Sequence, residues 1–176
     1  MKFIEAILKD VYIIEIDKIE DERGFFARSF CKNEMEIRGL NTNIVQTNIA
    51  FNPFKGTLRG MHFQKAPHEE TKFVRCTKGS IYDVVIDLRP ESKTFKKWMG
   101  IELNEENHKT LYVPKGFAHG YLTLSDNSEI SYMVTEYYNS FYERGVRWND
   151  HAFEIQWPGE ITVISQKDSN HPDFIV

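Results

Sequence analysis

The sequence predicts an all-β protein, an antiparallel sandwich or barrel carrying a few short helices. Three observations predict it. Short runs rich in β-branched and aromatic residues recur along the chain, and Gly, Pro and Asn turn signals separate them. No composition shift, repeat or low-complexity linker divides the 176 residues, so one domain over 1–176 is expected.

Taken in order, Val11–Ile16 is an apolar run after a Lys-Asp pair and reads as a strand. Asp21-Glu22-Arg23-Gly24 reads as a turn, with Phe25–Phe30 as the strand that follows it. Lys32–Arg38 has helical composition and stops at Gly39. Strands are expected near Ile44–Asn48, Gly56–Gln64, Lys72–Thr77 and Ile81–Leu88, the last two joined at Lys78-Gly79-Ser80 in the manner of a hairpin. Further strands are expected at Lys97–Leu103, Thr110–Val113, Gly120–Leu124 and Ile130–Tyr137, with a tight turn at Pro114-Lys115-Gly116. From Asn149 onward the pattern is less periodic and predicts loops and a short helix packed over one end.

Composition narrows the function. Apolar residues make up 41% and charged residues 27%, and the net charge is −4 with basic residues dispersed, which argues against a nucleic-acid surface. Met1 to Ile16 lacks the apolar core of a signal peptide, and no segment is long enough to span a bilayer. Cys31 and Cys76 have neither zinc-type nor redox spacing, so both read as free thiols of a cytoplasmic protein.

The most informative stretch is Leu58-Arg59-Gly60-Met61-His62-Phe63-Gln64. Imidazole titrates near neutrality and takes protons from carbon or oxygen, and an arginine three residues earlier suits an anionic group on the same substrate. On a regular strand positions 59 and 62 face opposite sides, so a shared pocket requires a bulge or kink, for which Gly60 is suited.

Several motifs accompany it in order: Asp21 to Phe26, Lys72-Phe73-Val74-Arg75-Cys76, Tyr82 to Arg89, Val113-Pro114-Lys115-Gly116-Phe117-Ala118-His119-Gly120, Arg147-Trp148-Asn149-Asp150 and Ser165-Gln166-Lys167-Asp168. Together they resemble the dTDP-4-dehydrorhamnose 3,5-epimerase family, roughly from Val11 to Asp168. The resemblance implies a cupin-type jelly-roll, a homodimer, a nucleoside-diphosphate sugar as substrate, and catalysis with neither metal nor organic cofactor. The residues agree on the metal, since His62 has no His-x-His partner and His62 with His119 alone makes a poor divalent site.

By the same resemblance His62 is the base, Asp168 its carboxylate partner, Tyr132 the proton donor on the opposite face, and Lys72 the cation beside the C4 oxygen. Alone, Tyr132 reads as an ordinary strand tyrosine and Lys72 as a solvated strand end. Arg23, Arg59 and His119 match substrate-binding positions and suit a diphosphate; Gln46, Asn48, Glu143 and Lys167 also match. Phe26 is expected to stack on base or sugar, and Tyr138 to shape the pocket beside Tyr132.

Three positions depart from the family pattern. Arg28 stands where a glutamate usually helps hold thymine; arginine only donates, which suits cytosine and raises the alternative of a CDP-linked 3- or 5-epimerase. Gln46-Thr47-Asn48-Ile49-Ala50 replaces a Gln-Asp-Asn-His-Ser run, and Met133 replaces a lysine. A related ketoisomerase and a sugar-nucleotide-binding cupin without activity are the other readings.

Overall fold

The computed structural model describes residues 1–175. Its first sheet comprises β1 (Lys2–Glu5), β2 (Tyr12–Glu15), β5 (Gln46–Asn52), β7 (Lys72–Lys78), β10 (Thr110–Val113) and β12 (Ser128–Val134), in the order β1-β2-β10-β7-β12-β5. The second has β13 (Glu143–Gly145), β6 (Thr57–Gln64), β11 (Phe117–Thr123), β8 (Ser80–Asp87) and β9 (Trp98–Asn104) in that order. A short β14 (Val163–Ile164) joins β6 in parallel, the exception among otherwise antiparallel pairings. The sheets stack as a sandwich, the cupin-type jelly-roll that the resemblance implies; no closed barrel forms among the described residues.

Alternation along the strands decides what faces inward. Val74 and Cys76 of β7, Ile130 of β12, Leu111 and Val113 of β10, Ile81 and Val85 of β8, and Phe117 and Tyr121 of β11 interlock between the sheets. Each aliphatic side chain removed from water there contributes about 1.5–3 kcal/mol. Both outer faces are also partly covered. Helix α1 (Lys32–Glu36) seats Met35 beside Phe73 and Tyr112 on the first sheet. The C-terminal segment lays Val146, Phe153 and Trp157 against Met61, Val84 and Ile86 of the second.

The expected strands at 44–48, 56–64, 72–77, 81–88, 97–103, 110–113 and 130–137 are all present with ends shifted by a few residues. The strand expected at Phe25–Phe30 is cut to β4 (Gly24–Phe26), because it pairs only with β3 (Ile19–Asp21) in a hairpin outside both sheets. Beyond it Phe30 turns inward to pack edge-on against Phe73. The strand expected at Gly120 begins at Phe117, directly after Gly116, whose φ of +83° makes the turn. β1, β3, β13 and β14 escape the sequence pattern: β1 is mostly exposed, and the others are too short to show a period. The short helix expected near the C-terminus is α2 (Gln166–Ser169), capped by the Ser165 hydroxyl, which accepts from the Asp168 N–H at 3.0 Å.

Asp87, fully buried at the end of β8, organises the turn into β9. It accepts from Arg89 Nε at 2.9 Å and from the hydroxyls of Ser92 and Thr94, each at 2.6 Å. Arg89 in turn reaches Asp10 at 2.8 Å. Burial alone pushes the Asp87 carboxyl up, but these donors outweigh it and hold the pKa down at about 2. A depressed native pKa stabilises the fold above the unfolded carboxyl value of about 3.9, and that contribution is lost as pH falls toward about 2. Urea unfolding of Asp87→Asn is expected to show a loss of about 1–3 kcal/mol at pH 7 that shrinks steadily between about pH 4 and pH 2. A loss of equal size at both ends of that range would contradict the assignment.

Candidate active site

The open end of the sandwich is a cleft whose walls come from different sheets. Arg59, His62 and His119 project from the second sheet, Lys72 and Tyr132 from the first, and together they line a cavity of about 180 Å³. A second cavity of about 160 Å³ shares His62, Lys72 and Tyr132 and adds Gln46, Asn48, Tyr138 and Glu143. A third, of about 400 Å³, runs from Arg59 and His62 to Lys167 and Asp168.

The shared pocket of Arg59 and His62 depends on the bulge that the sequence requires. Along β11, His119 lies opposite His62 and Tyr121 opposite Arg59: two residues there span three on β6. Gly60 sits in the break with φ +130°. A Cβ at this point would approach Gly120 Cα to 2.6 Å and the His119 carbonyl oxygen to 3.0 Å, so only glycine fits.

His62 is oriented by Asp168. Its Nε2 lies 2.8 Å from Asp168 Oδ1, and the other carboxylate oxygen accepts from the Gly60 N–H at 3.1 Å. Burial pushes the Asp168 carboxyl up, but the His62 hydrogen bond and charge, with the Gly60 N–H, bring it below the ordinary range. An ionised carboxylate accepts only, so neutral His62 carries its proton on Nε2 and Nδ1 holds the free lone pair.

Across the cleft Tyr132 lies opposite Asn48 in the ladder. Burial raises its phenol pKa, Glu70 adds to the rise, and the Arg59 charge opposes it. Lys72, only 8% exposed, meets Glu70 at 3.0 Å, which leaves a desolvated ammonium with one counter-ion at the cleft wall. His119 Nε2 lies 2.8 Å from Asp83 Oδ1, a second imidazole–carboxylate pair with its carboxylate wholly buried. Arg59 donates to Asn52 Oδ1 at 2.8 Å.

At the mouth, Glu143 accepts from Tyr138 at 2.8 Å and from Lys167 at 2.6 Å. Burial works against the Glu143 charge, but these two donors hold its pKa below the ordinary value. Gln46 braces the same corner, its side-chain oxygen accepting from the Tyr138 N–H at 3.0 Å.

Of the residues singled out in the sequence, His62, Tyr132, Asp168, Lys72, Gln46, Asn48, Arg59, His119, Tyr138, Glu143 and Lys167 converge on this cleft. Arg23, Phe26 and Arg28 line none of its three cavities. Arg23 is held by Asp21 at 2.6 Å within the exposed hairpin, Phe26 is 70% exposed, and Arg28 points to Glu34 at 3.6 Å. The hairpin belongs to neither sheet, so nothing within one chain carries it to the cleft. Sequence reasoning missed Glu70, Asp83 and His171. Asp83 had a signal, a lone carboxylate inside the apolar run Ile81–Ile86; Glu70 and His171 had none.

Comparison with known proteins agrees with this geometry. The family model described as dTDP-4-dehydrorhamnose 3,5-epimerase matches residues 5–175. The chain belongs to that family. The dTDP-4-dehydrorhamnose 3,5-epimerase of Shigella flexneri is 40% identical over 176 residues, 99% of this chain and 97% of the relative. The crystal structure of the Bacillus anthracis enzyme with TDP and pyrophosphate bound superposes with a TM-score of 0.94 at 42% identity, covering 98% of this chain and 99% of that one. A Legionella pneumophila epimerase in complex with dTDP-4-keto-L-rhamnose has a TM-score of 0.90 at 36% identity, over 97% and 90% of the two chains. Membership in this epimerase family makes the protein an isomerase.

Gly60→Ala tests the bulge. Urea unfolding is expected to show a loss of about 1–3 kcal/mol or more, because the new methyl group meets backbone on β11. Native-like stability would mean that the strand has room the geometry denies it.

Proposed function

We propose that the protein epimerises C3 and C5 of a dTDP-linked 4-keto-6-deoxyglucose through an enolate, with His62 as base and Tyr132 as acid. The observation that carries this reading is the position of the two groups on facing walls of one cleft, with Lys72 in the shared lining. Epimerisation removes a proton from one face of a carbon and returns one to the other, so base and acid must flank the ring.

His62 Nδ1 takes the proton from the carbon next to the C4 ketone. The electron pair moves onto the C4 oxygen, where the Lys72 ammonium stabilises the enolate. The Tyr132 hydroxyl then delivers its proton to the same carbon from the opposite wall, and the enolate collapses to the ketone. Imidazolium and phenolate return to their resting forms by exchange with solvent. Turning the sugar within the cleft presents the second carbon to the same groups. Arg59 supplies positive charge for the diphosphate, while His119, Lys167, Gln46, Asn48, Glu143 and Tyr138 shape the remaining contacts. No step calls for a group beyond these side chains.

A homodimer completes the site in this reading. The outward row of edge strand β5 exposes Ile49, at 70%, and Phe51, and the β3–β4 hairpin exposes Ile19, Phe25 and Phe26. An apolar edge and an apolar hairpin on one chain suit a second copy. The hairpin then brings Arg23, Phe26 and Arg28 to the partner's cleft, where Arg28 meets the base. The compartment is the cytoplasm, which keeps thiols such as Cys31 and Cys76 reduced; among the described residues no helix is long and apolar enough to cross a membrane.

Incubation in heavy water with dTDP- and CDP-linked 4-keto-6-deoxyglucose, followed by NMR, tests the chemistry. Deuterium is expected at C3 and C5 of the dTDP sugar. His62→Ala should abolish its incorporation; Tyr132→Phe should still exchange deuterium but invert neither centre. Exchange at a single carbon, or a keto group moved to a neighbouring carbon, would refute the double epimerisation. For the dimer, Ile49→Asp is expected to yield a monomer by light scattering with turnover reduced at least about tenfold, since the hairpin residues are lost from each cleft. A fully active monomer would remove the shared site.

A further inference from the structure

His171 is absent from the chemistry above, yet it lies against the catalytic pair. Its ring stands edge-to-face on His62, centroids 5.7 Å apart at 79°. Its Nε2 lies 3.7 Å from Asp168 Oδ1, is buried, and has no hydrogen-bond partner among the described residues. Room for the ring exists only because residue 145 is glycine; a Cβ there would collide with the imidazole. The three atoms His62 Nε2, Asp168 Oδ1 and His171 Nε2 all lie within 4.8 Å of one another.

We propose that these atoms form a binding site for a divalent ion of the zinc class, and that its occupation switches the enzyme off. Two imidazoles and one carboxylate are a zinc-type donor set, with the fourth tetrahedral position left for water from the cleft. Magnesium and calcium, which prefer oxygen ligands, are poorly served by it. Tetrahedral coordination asks the 2.8 Å His62–Asp168 contact to open and the two imidazoles, within 4.8 Å of each other, to close on the ion. Asp168 is already supported from behind by the Gly60 N–H and by its place in α2.

The charged surroundings permit the ion. Burial above all lowers the His171 pKa, the direction that favours the unprotonated, ligating imidazole. Lys167, the nearby cation, is tied to Glu143 at 2.6 Å, so that pair adds no net charge.

Inhibition follows from the tautomer and in that respect rests on the role proposed for His62. In the resting pair the proton is on Nε2 and Nδ1 accepts. A metal ion on Nε2 displaces that proton, and a neutral, metal-bound ring carries its one proton on Nδ1. The atom that must receive the substrate's proton is then filled, and Asp168 is withdrawn into the coordination sphere.

Tag-free protein titrated with Co²⁺ provides the test, with zinc inhibition measured in parallel. The expected result is a tetrahedral-type visible spectrum at one ion per chain, displaced by Zn²⁺, with turnover falling as occupancy rises and restored by EDTA; Mg²⁺ should do neither. His171→Ala should weaken the affinity at least about tenfold. His171→Phe should do the same while keeping a ring against Gly145, which separates ligand loss from misfolding. An absent spectrum, or native affinity in His171→Phe, would overturn the site. Full occupancy with unchanged turnover would overturn the inhibition and, with it, His62 as the base.

Discussion

The contact between His62 and Asp168 ties the molecule together. One partner lies on strand β6 and the other on the four-residue helix α2, more than a hundred positions later in the chain. To make it, β6 must bulge at Gly60, the chain must return along β6 as β14, and Ser165 must cap α2 so that the carboxylate points back. The Gly60 N–H, freed from the ladder by the bulge, then becomes the second donor to the same carboxylate. The irregularity that gathers Arg59 and His62 into one pocket thus also adds a second donor, after His62, to those that lower the Asp168 pKa.

Carboxylates behind cations and imidazoles recur throughout the site. Asp168 stands behind His62, Asp83 behind His119, Glu70 behind Lys72 and Glu143 behind Lys167. Without these acids the cations Lys72 and Lys167 would stand in the cleft with no counter-ion. The paired acids limit that charge and fix the direction of each donor. The chain as a whole likewise carries more acids than bases, with a net charge of −4.

Much of this was legible in the sequence because its causes are local. Strand alternation, the turn at Pro114-Lys115-Gly116 and the break needed at Gly60 each follow from a few adjacent residues. The resemblance then assigned roles that spacing alone left open: nothing local distinguishes Tyr132 from a core tyrosine or Lys72 from a solvated one. What stayed hidden depends on distant segments meeting. His171 follows a stretch without period, and its approach to His62 exists only once β13 and α2 have docked on β6. Glu70 reads as one more surface acid until Lys72 turns inward beside it. The hairpin carrying Arg23 and Phe26 shows a complementary limit, since its motif is clear while it joins neither sheet and lines none of the cavities of the cleft.

Because the proposed base and acid sit on separate sheets, the gap between them is the thickness of the sandwich. Packed sheets lie about 10 Å apart, a distance set by the side chains between them. Here the spacers are Val74, Leu111, Val85 and Phe117, none of which lines the cavities of the cleft. The hydrophobic interior therefore acts as a calliper for the chemistry at its open end. A methylene added to or removed from that interior would alter how far a planar enolate stands from each proton source, and with it how often the carbon is reprotonated on the face it left. Stereochemical fidelity in this fold is in that sense a packing property.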